Sequence, residues 1–315
     1  YSTPSSLNPA LTGLVAGEWG FATNFRSQWG SLSSKFQTSV LTIDKPMSTS
    51  VGEGGLGLYL AQDVAGGLTT TNFMFGGAYE APLGGGASQH RLRTGLQVGG
   101  FYWAVDYNNL TFESQFDGTG FNNTSAASAE NLQALNAKIV PQMSFGLLYY
   151  NTDRNSPVNV FAGAMSSYLV KFNSSFVDTG THNFNEQSTR ILFHGGANIK
   201  AGGLLNIIPQ VVAVQQNKDL DIVGGVFTAY SLSSKSSLSD DNKTLFLGPT
   251  YRNANAILFY TGFETNKIAI GFSYDLMTTD LKDYASGGTE AFEISLKYRM
   301  GRVKGFYNSL PFPTF

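Results

Sequence analysis

The short stretch GEGGLG, residues 52–57, has the GxGxxG spacing with which a glycine-rich loop can cradle a pyrophosphate. That chemistry needs a helix directly after the loop, because the helix N-terminus holds the negative charge. Here the glycines precede a predicted strand instead. We therefore interpret Gly52, Gly54 and Gly57 as a glycine-rich turn and strand start, and we predict no nucleotide cofactor.

Residues that could bind a metal or catalyse a reaction are too scattered to form a recognisable site. His90, His182 and His194 are far apart, and none is paired at metal-ligand spacing. The chain has no cysteine, which excludes thiolate sites, and it lacks the GxSxG elbow of a serine hydrolase. The acidic clusters at 239–242 and 280–284 lack EF-hand spacing. We predict a protein that is not an enzyme and has no cofactor or metal.

The composition favours aromatic-rich β-structure. Charged residues make up 13% of the chain, about half the usual share for a soluble domain, while it holds 36 Gly, 24 Phe and 15 Tyr. Its 20 basic and 22 acidic residues nearly balance, so charge gives no reason to expect a nucleic-acid partner. No window of about 20 residues is continuously apolar, so we predict no transmembrane helix.

Alternation with a period of two is the main structural signal. In AFEISLKYRM, residues 291–300, every second residue from Phe292 onward is apolar, and Glu293, Lys297 and Arg299 lie on the opposite face. Such a strand fits either a soluble sheet or a membrane barrel with lipid outside and water inside. Several other strands alternate less cleanly, and a soluble β-protein stays open as the alternative.

We predict an all-β, single-domain transmembrane antiparallel barrel of about fourteen strands. An even number suits bacterial single-chain barrels, and fourteen strands close into a cylinder roughly 28 Å across, too wide for its own side chains to fill. The predicted strands are 17–28, 35–43, 54–62, 70–82, 91–107, 139–150, 158–172, 188–201, 204–215, 219–232, 243–250, 254–264, 267–277 and 290–300.

The width of the barrel requires that water or a plug occupies the lumen. We expect the N-terminal segment 1–16 to plug it as an extended peptide, since Pro4 and Pro9 prevent regular pairing. The barrel proper would span 17–300, and 301–315 would form a periplasmic tail. The polar faces of two strands supply the predicted lumen-facing residues, namely Arg190, His194, Lys200, Glu293 and Lys297.

Long connections follow the fifth, seventh and thirteenth strands, and all three face outward if both termini are periplasmic. Exposed aromatic residues are common anchors of protein interfaces. An equally open reading is that these loops pack on themselves or cover the lumen. The predicted partner-binding residues are Phe112, Phe116, Asp117, Phe121, Phe176 and Tyr284.

Four stretches resemble a known family. LNPALTG lies at residues 7–13, and YRNANA, IAIGFSYDL and GGTEAFEISLKYR follow in that order after residue 250. They resemble the PorP/SprF outer-membrane proteins of type IX secretion systems, which typically start with an Asn-Pro-Ala-Leu motif, here with Asn8, Pro9 and Ala10. The sequence departs at Phe272, where the family often has Tyr, and near 289–293, where a family His is missing.

The resemblance implies a barrel in the bacterial outer membrane that is neither an enzyme nor a general pore. The start at Tyr1, without a Met or a basic-then-apolar leader, leads us to expect that a signal peptide has been removed. The resemblance also implies that the barrel acts beside the type IX translocon. There the barrel would support the export and surface anchoring of a secreted adhesin by binding the adhesin's C-terminal domain. Periplasmic motor or peptidoglycan-linked components are further expected partners, together with outer-membrane lipid. The alternative is a diffusion channel or a hydrophobic-substrate transporter.

Overall fold

The computed structural model describes residues 2–28, 36–49, 52–84, 88–105, 116, 118–120, 137–171, 187–232, 243–253, 256–278 and 289–301. Within them, fourteen antiparallel strands form one closed barrel, as predicted. The strands are β1 (Trp19–Gln28), β2 (Phe36–Thr49), β3 (Gly52–Ala65), β4 (Leu68–Pro82), β5 (His90–Val105), β6 (Ala137–Asn151), β7 (Val158–Ser167), β8 (Arg190–Lys200), β9 (Leu205–Gln216), β10 (Asp219–Ser231), β11 (Thr244–Arg252), β12 (Ala256–Glu264), β13 (Ile268–Met277) and β14 (Thr289–Met300).

Every strand pairs with its neighbours in sequence, and the barrel closes where β1 pairs with β14, from Trp19 opposite Met300 to Gln28 opposite Ala291. The first strand therefore begins, and the last strand ends, at the same end of the barrel. We call this end the termini rim and the opposite end the loop rim. The connections after β5, β7 and β13 all leave from the loop rim.

The alternation of β14 separates its two faces as expected. Phe292, Ile294, Leu296, Tyr298 and Met300 are 37–47% exposed on the outside, where acyl chains surround a membrane barrel. Ala291, Ser295, Lys297 and Arg299 between them are at most 7% exposed on the inside. Among the described residues, no helix is long and apolar enough to cross a membrane.

Leu296→Arg tests the outward orientation of β14. Leu296 is 43% exposed and lies within the apolar face, so an arginine there should cost about 2–4 kcal/mol of unfolding free energy near the bilayer midplane. Denaturant unfolding in lipid vesicles measures this cost, with Leu296→Met as the apolar control. Equal stability of the two variants would place Leu296 away from lipid.

The N-terminal segment enters the barrel at the termini rim and lies inside the lumen. The prediction of an extended peptide is wrong: residues Pro4–Leu7 form a one-turn helix, α1, and Pro9–Leu11 form a 3₁₀ turn. Both turns begin with proline, whose fixed φ suits the first helical position and whose missing N–H would have no partner there. Proline thus prevents strand pairing here but starts a helical turn.

The inner wall of β9–β11 carries an apolar cluster. Ile208, Phe227, Ala229 and Phe246 are buried together inside β9–β11, and Tyr260 of β12 packs against them. A Cβ added at Gly248 would meet the Phe227 ring at 2.6 Å, so the missing side chain lets this ring lie against the wall. The plug and this apolar cluster therefore occupy different parts of the lumen.

Candidate functional site: the lumen and its N-terminal plug

Asn8 is the central polar residue of the plug, by which we mean residues 2–16. Its side chain is fully buried, and its Oδ1 accepts the N–H of Ala10 at 2.9 Å, which caps the 3₁₀ turn. Its Nδ2 lies 2.9 Å from the Leu147 carbonyl of β6, 3.3 Å from the Ala164 carbonyl of β7 and 3.0 Å from His194 Nε2 of β8. One amide thus connects the plug to three strands.

Arg93 of β5 holds the next turn of the plug. Its Nε donates to the Ala10 carbonyl at 2.8 Å, and its Nη2 donates to the Thr12 carbonyl at 2.7 Å. The remaining nitrogen, Nη1, pairs with Glu80 Oε2 of β4 at 2.9 Å. Tyr150 of β6 donates to the same carboxylate oxygen at 2.6 Å. Arg93 and Glu80 are almost completely buried, so removal of Glu80 would leave the buried Arg93 charge without this ion pair. Among the described residues, removal of Arg93 would leave Glu80 with only the Tyr150 hydroxyl and the more distant Arg91.

Further hydrogen bonds fix the plug along its length. Gln97 Nε2 donates to the Ser5 carbonyl at 2.9 Å, and the Gly13 N–H donates to Asp44 Oδ1 of β2 at 2.8 Å. Near the start of the chain, Ser2 Oγ donates to Glu293 Oε1 of β14 at 3.2 Å. The plug therefore reaches from β14 across the lumen to β8.

Apolar packing and glycines complete the fit. Ala10, Leu11, Leu14 and Ala16 form one buried cluster with Leu148, Tyr150 and Phe161 of β6 and β7. On the inner wall of β5, a Cβ at Gly95 would overlap the Pro9 carbonyl group, and on β6 one at Gly146 would overlap Asn8 Oδ1. Such close backbone approach needs glycine at both positions. The plug thus shares a packed core with the wall.

The predicted lumen-facing residues occupy different environments. His194 contacts Asn8, and Glu293 accepts from Ser2 and from Asn24 Nδ2 at 2.6 Å, so both lie against the plug or its edge. Lys297 is buried, 7% exposed, on the inner face of β14. Arg190 begins β8 at the loop rim, and Lys200 ends it at the termini rim. The exposed Lys200 ammonium donates to the carbonyls of the turn after β6, at Arg154 and Ser156.

Of the predicted partner-binding residues, only Phe116 belongs to the described part of the chain, where it is 52% exposed. Phe112, Asp117, Phe121, Phe176 and Tyr284 lie outside the described residues, as does the predicted tail beyond residue 301. The sequence reasoning missed Arg93, Glu80, Gln97 and Asp44, which hold the plug. One sequence signal could have identified Arg93. Arg91 and Arg93 are charged residues at alternate positions of a predicted strand, so both side chains lie on the same face.

Several polar side chains of the barrel wall bind the main chain of the plug. Arg93 and Gln97 donate to carbonyls of the plug, and Asp44 accepts a plug N–H. In the described part of the chain, no group of three or more His, Asp or Glu residues could hold a metal ion. The arrangement can fix a peptide segment across a lumen.

Two solved structures with a similar fold are described as monoaromatic hydrocarbon channels. The barrel is similar to a "TodX deltaS2S3 mutant monoaromatic hydrocarbon channel", with TM-score 0.51, 8% identity and coverage of 95% of this chain and 94% of that one. It is also similar to the "CymD monoaromatic hydrocarbon channel", with TM-score 0.50, 10% identity and coverage of 96% and 94%. At these identities the likeness concerns the fold alone. No curated protein sequence matches the chain.

The family comparison agrees with the N-terminal and C-terminal motifs. The sequence profile described as "Type IX secretion system membrane protein PorP/SprF" matches residues 1–298, which include the plug and nearly all of the barrel. The fold and the family together assign the protein to the outer membrane. The chain belongs to the PorP/SprF family of type IX secretion system membrane proteins.

Proposed function

We propose that this barrel supports export and cell-surface anchoring of a secreted adhesin by binding the adhesin's C-terminal domain with its outward loops. The termini rim would face the periplasm, where the translocon, motor components and peptidoglycan-linked proteins are available as partners. The loop rim would face outward and present the connections that contain Phe112, Phe116 and Phe121.

The observation that carries this proposal is the filled lumen. The plug contacts strands from β14 through β8 by hydrogen bonds and close packing, and the apolar cluster occupies the inner wall of β9–β11. A general diffusion pore needs a water-filled lumen, which this arrangement opposes. An outer-membrane barrel without such a lumen, in a secretion-system family, is suited to holding another protein.

Purification from native membranes in mild detergent tests the proposal. Mass spectrometry should identify a large secreted protein in near-stoichiometric amount. Phe112→Ala, Phe116→Ala and Phe121→Ala together should abolish its recovery, because aromatic anchors carry much of an interface's binding energy. Asn108→Ala, Asn109→Ala and Asn122→Ala in the same loop form the matched control. A solitary barrel, or equal loss in both triple variants, would contradict the assigned surface.

A channel for hydrophobic substrates is the second candidate. It draws support from the fold shared with two hydrocarbon channels and from the apolar inner cluster of Ile208, Phe227 and Phe246. Uptake of a monoaromatic hydrocarbon into vesicles that contain the purified barrel would favour this candidate, and uptake equal to that of empty vesicles would exclude it for that substrate.

A further inference from the structure

We propose that the seam between β6 and β7 is a lateral gate of the barrel, which the Asn8 side chain holds closed from inside. The two edges of β6 are paired very differently. Its edge toward β5 has fifteen register pairs, from His90–Asn151 to Ala104–Ala137. In the described part of the chain, its edge toward β7 has seven, from Ser144–Ser167 to Tyr150–Phe161.

Both ends of this short ladder are irregular. Toward the loop rim, Tyr168 adopts a left-handed conformation with φ 58°, and the Leu169 N–H donates to the Met143 carbonyl at 3.2 Å, one position out of register. Residues 137–142 of β6 have no register partner in β7 among the described residues. Within that stretch, Pro141 lacks an N–H, and proline is typical of strand edges.

Toward the termini rim, side chains replace part of the main-chain ladder. Asn151 Nδ2 donates to Asn159 Oδ1 at 2.8 Å, and the Val160 N–H donates to Asn151 Oδ1 at 2.6 Å. Among the described residues, the regular pairing of β6 with β7 therefore covers seven residues on each strand, fewer than the roughly 9–11 that a strand needs to cross the bilayer.

The Asn8 side chain contacts both β6 and β7 at the middle of this ladder. Leu147 and Ala164 are register partners across the seam, and both of their carbonyls lie within hydrogen-bond distance of Asn8 Nδ2. Gly146 and Gly163, inside the same ladder, leave the space in which the Asn8 amide lies flat on the wall. His194 then links this contact to β8. A plug residue thus bridges the two strands at the middle of their seven-pair ladder.

The pairing between β10 and β11 shows that a short ladder can be supported from inside the barrel without the plug. β10 and β11 also share seven register pairs, interrupted at Val226 and Phe227. There the apolar cluster of Phe227 and Phe246 packs across the two strands. The β6–β7 seam instead gains its interior support from the N-terminal segment, so displacement of that segment would weaken this seam selectively.

Hydrogen exchange of the full-length barrel in detergent tests the gate. Asn8→Ala should accelerate amide exchange about tenfold in residues 144–150 and 161–167, because the side chain's hydrogen bonds no longer oppose local opening. Gln97→Ala is the matched control, since it removes a different plug contact, to the Ser5 carbonyl, and has no hydrogen bond to β7. Gln97 is the register partner of Ser144, so the comparison between the two variants uses residues 145–150 and 161–167. Exchange in β3 and β4 should stay unchanged in both variants.

Two further variants separate the gate from general unfolding. Gly163→Ala should accelerate the same amides without any change in the plug sequence, because its Cβ would displace His194 and Asn8. A disulfide in Phe145→Cys/Ser166→Cys, which joins register partners on the outer face, should cancel the effect of Asn8→Ala. Seam exchange that is unchanged in Asn8→Ala, or equally fast in Gln97→Ala, would overturn the proposal.

Discussion

Arg93→Met should lower the free energy of unfolding by about 3–5 kcal/mol, because it removes the closer ion-pair partner of the buried Glu80 carboxylate and, among the described residues, leaves only Arg91 Nε at 3.7 Å. It also removes the two hydrogen bonds to the plug carbonyls of Ala10 and Thr12. Denaturant unfolding in detergent, followed by tryptophan fluorescence, measures the loss. Among the substitutions considered for this barrel, we expect this one to have the largest effect on stability.

Two controls isolate the buried pair. Arg91→Met makes the same charge change two residues away, but Arg91 Nε lies 3.7 Å from Glu80 Oε1 and its side chain is 20% exposed, so about 1 kcal/mol or less should be lost. The double variant Arg93→Met/Glu80→Gln also removes the negative charge of the Glu80 carboxylate. It should therefore recover part of the lost free energy of unfolding. Equal effects of Arg93→Met and Arg91→Met would contradict the assigned role of Arg93.

Gly95→Val should expel the plug from the lumen while the strands still pair. Any side chain at Gly95 would overlap the carbonyl group of Pro9, and the β5 wall cannot retreat without breaking its ladders with β4 and β6. Because the chain contains no cysteine, Ser5→Cys provides a single labelling site in the plug. Ser5 is 3% exposed, so its cysteine should react with a water-soluble maleimide only when the plug has left.

Gly77→Val on the neighbouring strand β4 is the matched control for Gly95→Val. A Cβ at Gly77 would meet only Leu56, at an ordinary contact distance of 3.6 Å. Labelling of Ser5→Cys should therefore stay slow in the Gly77→Val background and become fast in the Gly95→Val background. The heat-dependent shift in electrophoretic mobility confirms that each barrel is folded. Equal labelling in the two backgrounds would show that the plug does not depend on the space at Gly95.

The sequence predicted the barrel wall well because the bilayer imposes a simple repeated rule on it. Each strand must present apolar residues to lipid at every second position, which made the fourteen strands recognisable. The two largest errors at strand ends arose in β2, predicted to stop at residue 43 but continuing to Thr49, and in β7. β7 was predicted to reach residue 172 but ends at Ser167, where Tyr168 takes a left-handed conformation. A non-glycine residue in that conformation leaves little local signal.

The inside of the barrel was predictable only in part. The width of fourteen strands, together with the two prolines, pointed to the N-terminal segment as the filler of the lumen, but its turns and contacts depend on residues far apart in sequence. Arg93 and Ala10 are separated by 83 positions, and Asn8 and His194 by 186. The plug also packs against apolar wall residues such as Leu148 and Phe161. The inner face of these strands is therefore less polar than the face of a water-filled lumen, which makes it harder to recognise from the sequence.

Planar-bilayer conductance tests the central claim, that the N-terminal segment closes the barrel, most directly. The full-length protein should insert without measurable ion conductance, whereas a variant without residues 2–12 should open steady, ohmic channels. A variant of full length in which Ser2 and Ser6 are replaced by alanine controls for changes in the segment that leave it in place. Equal, steady conductance of the full-length and shortened proteins would contradict the plugged barrel and favour a diffusion channel.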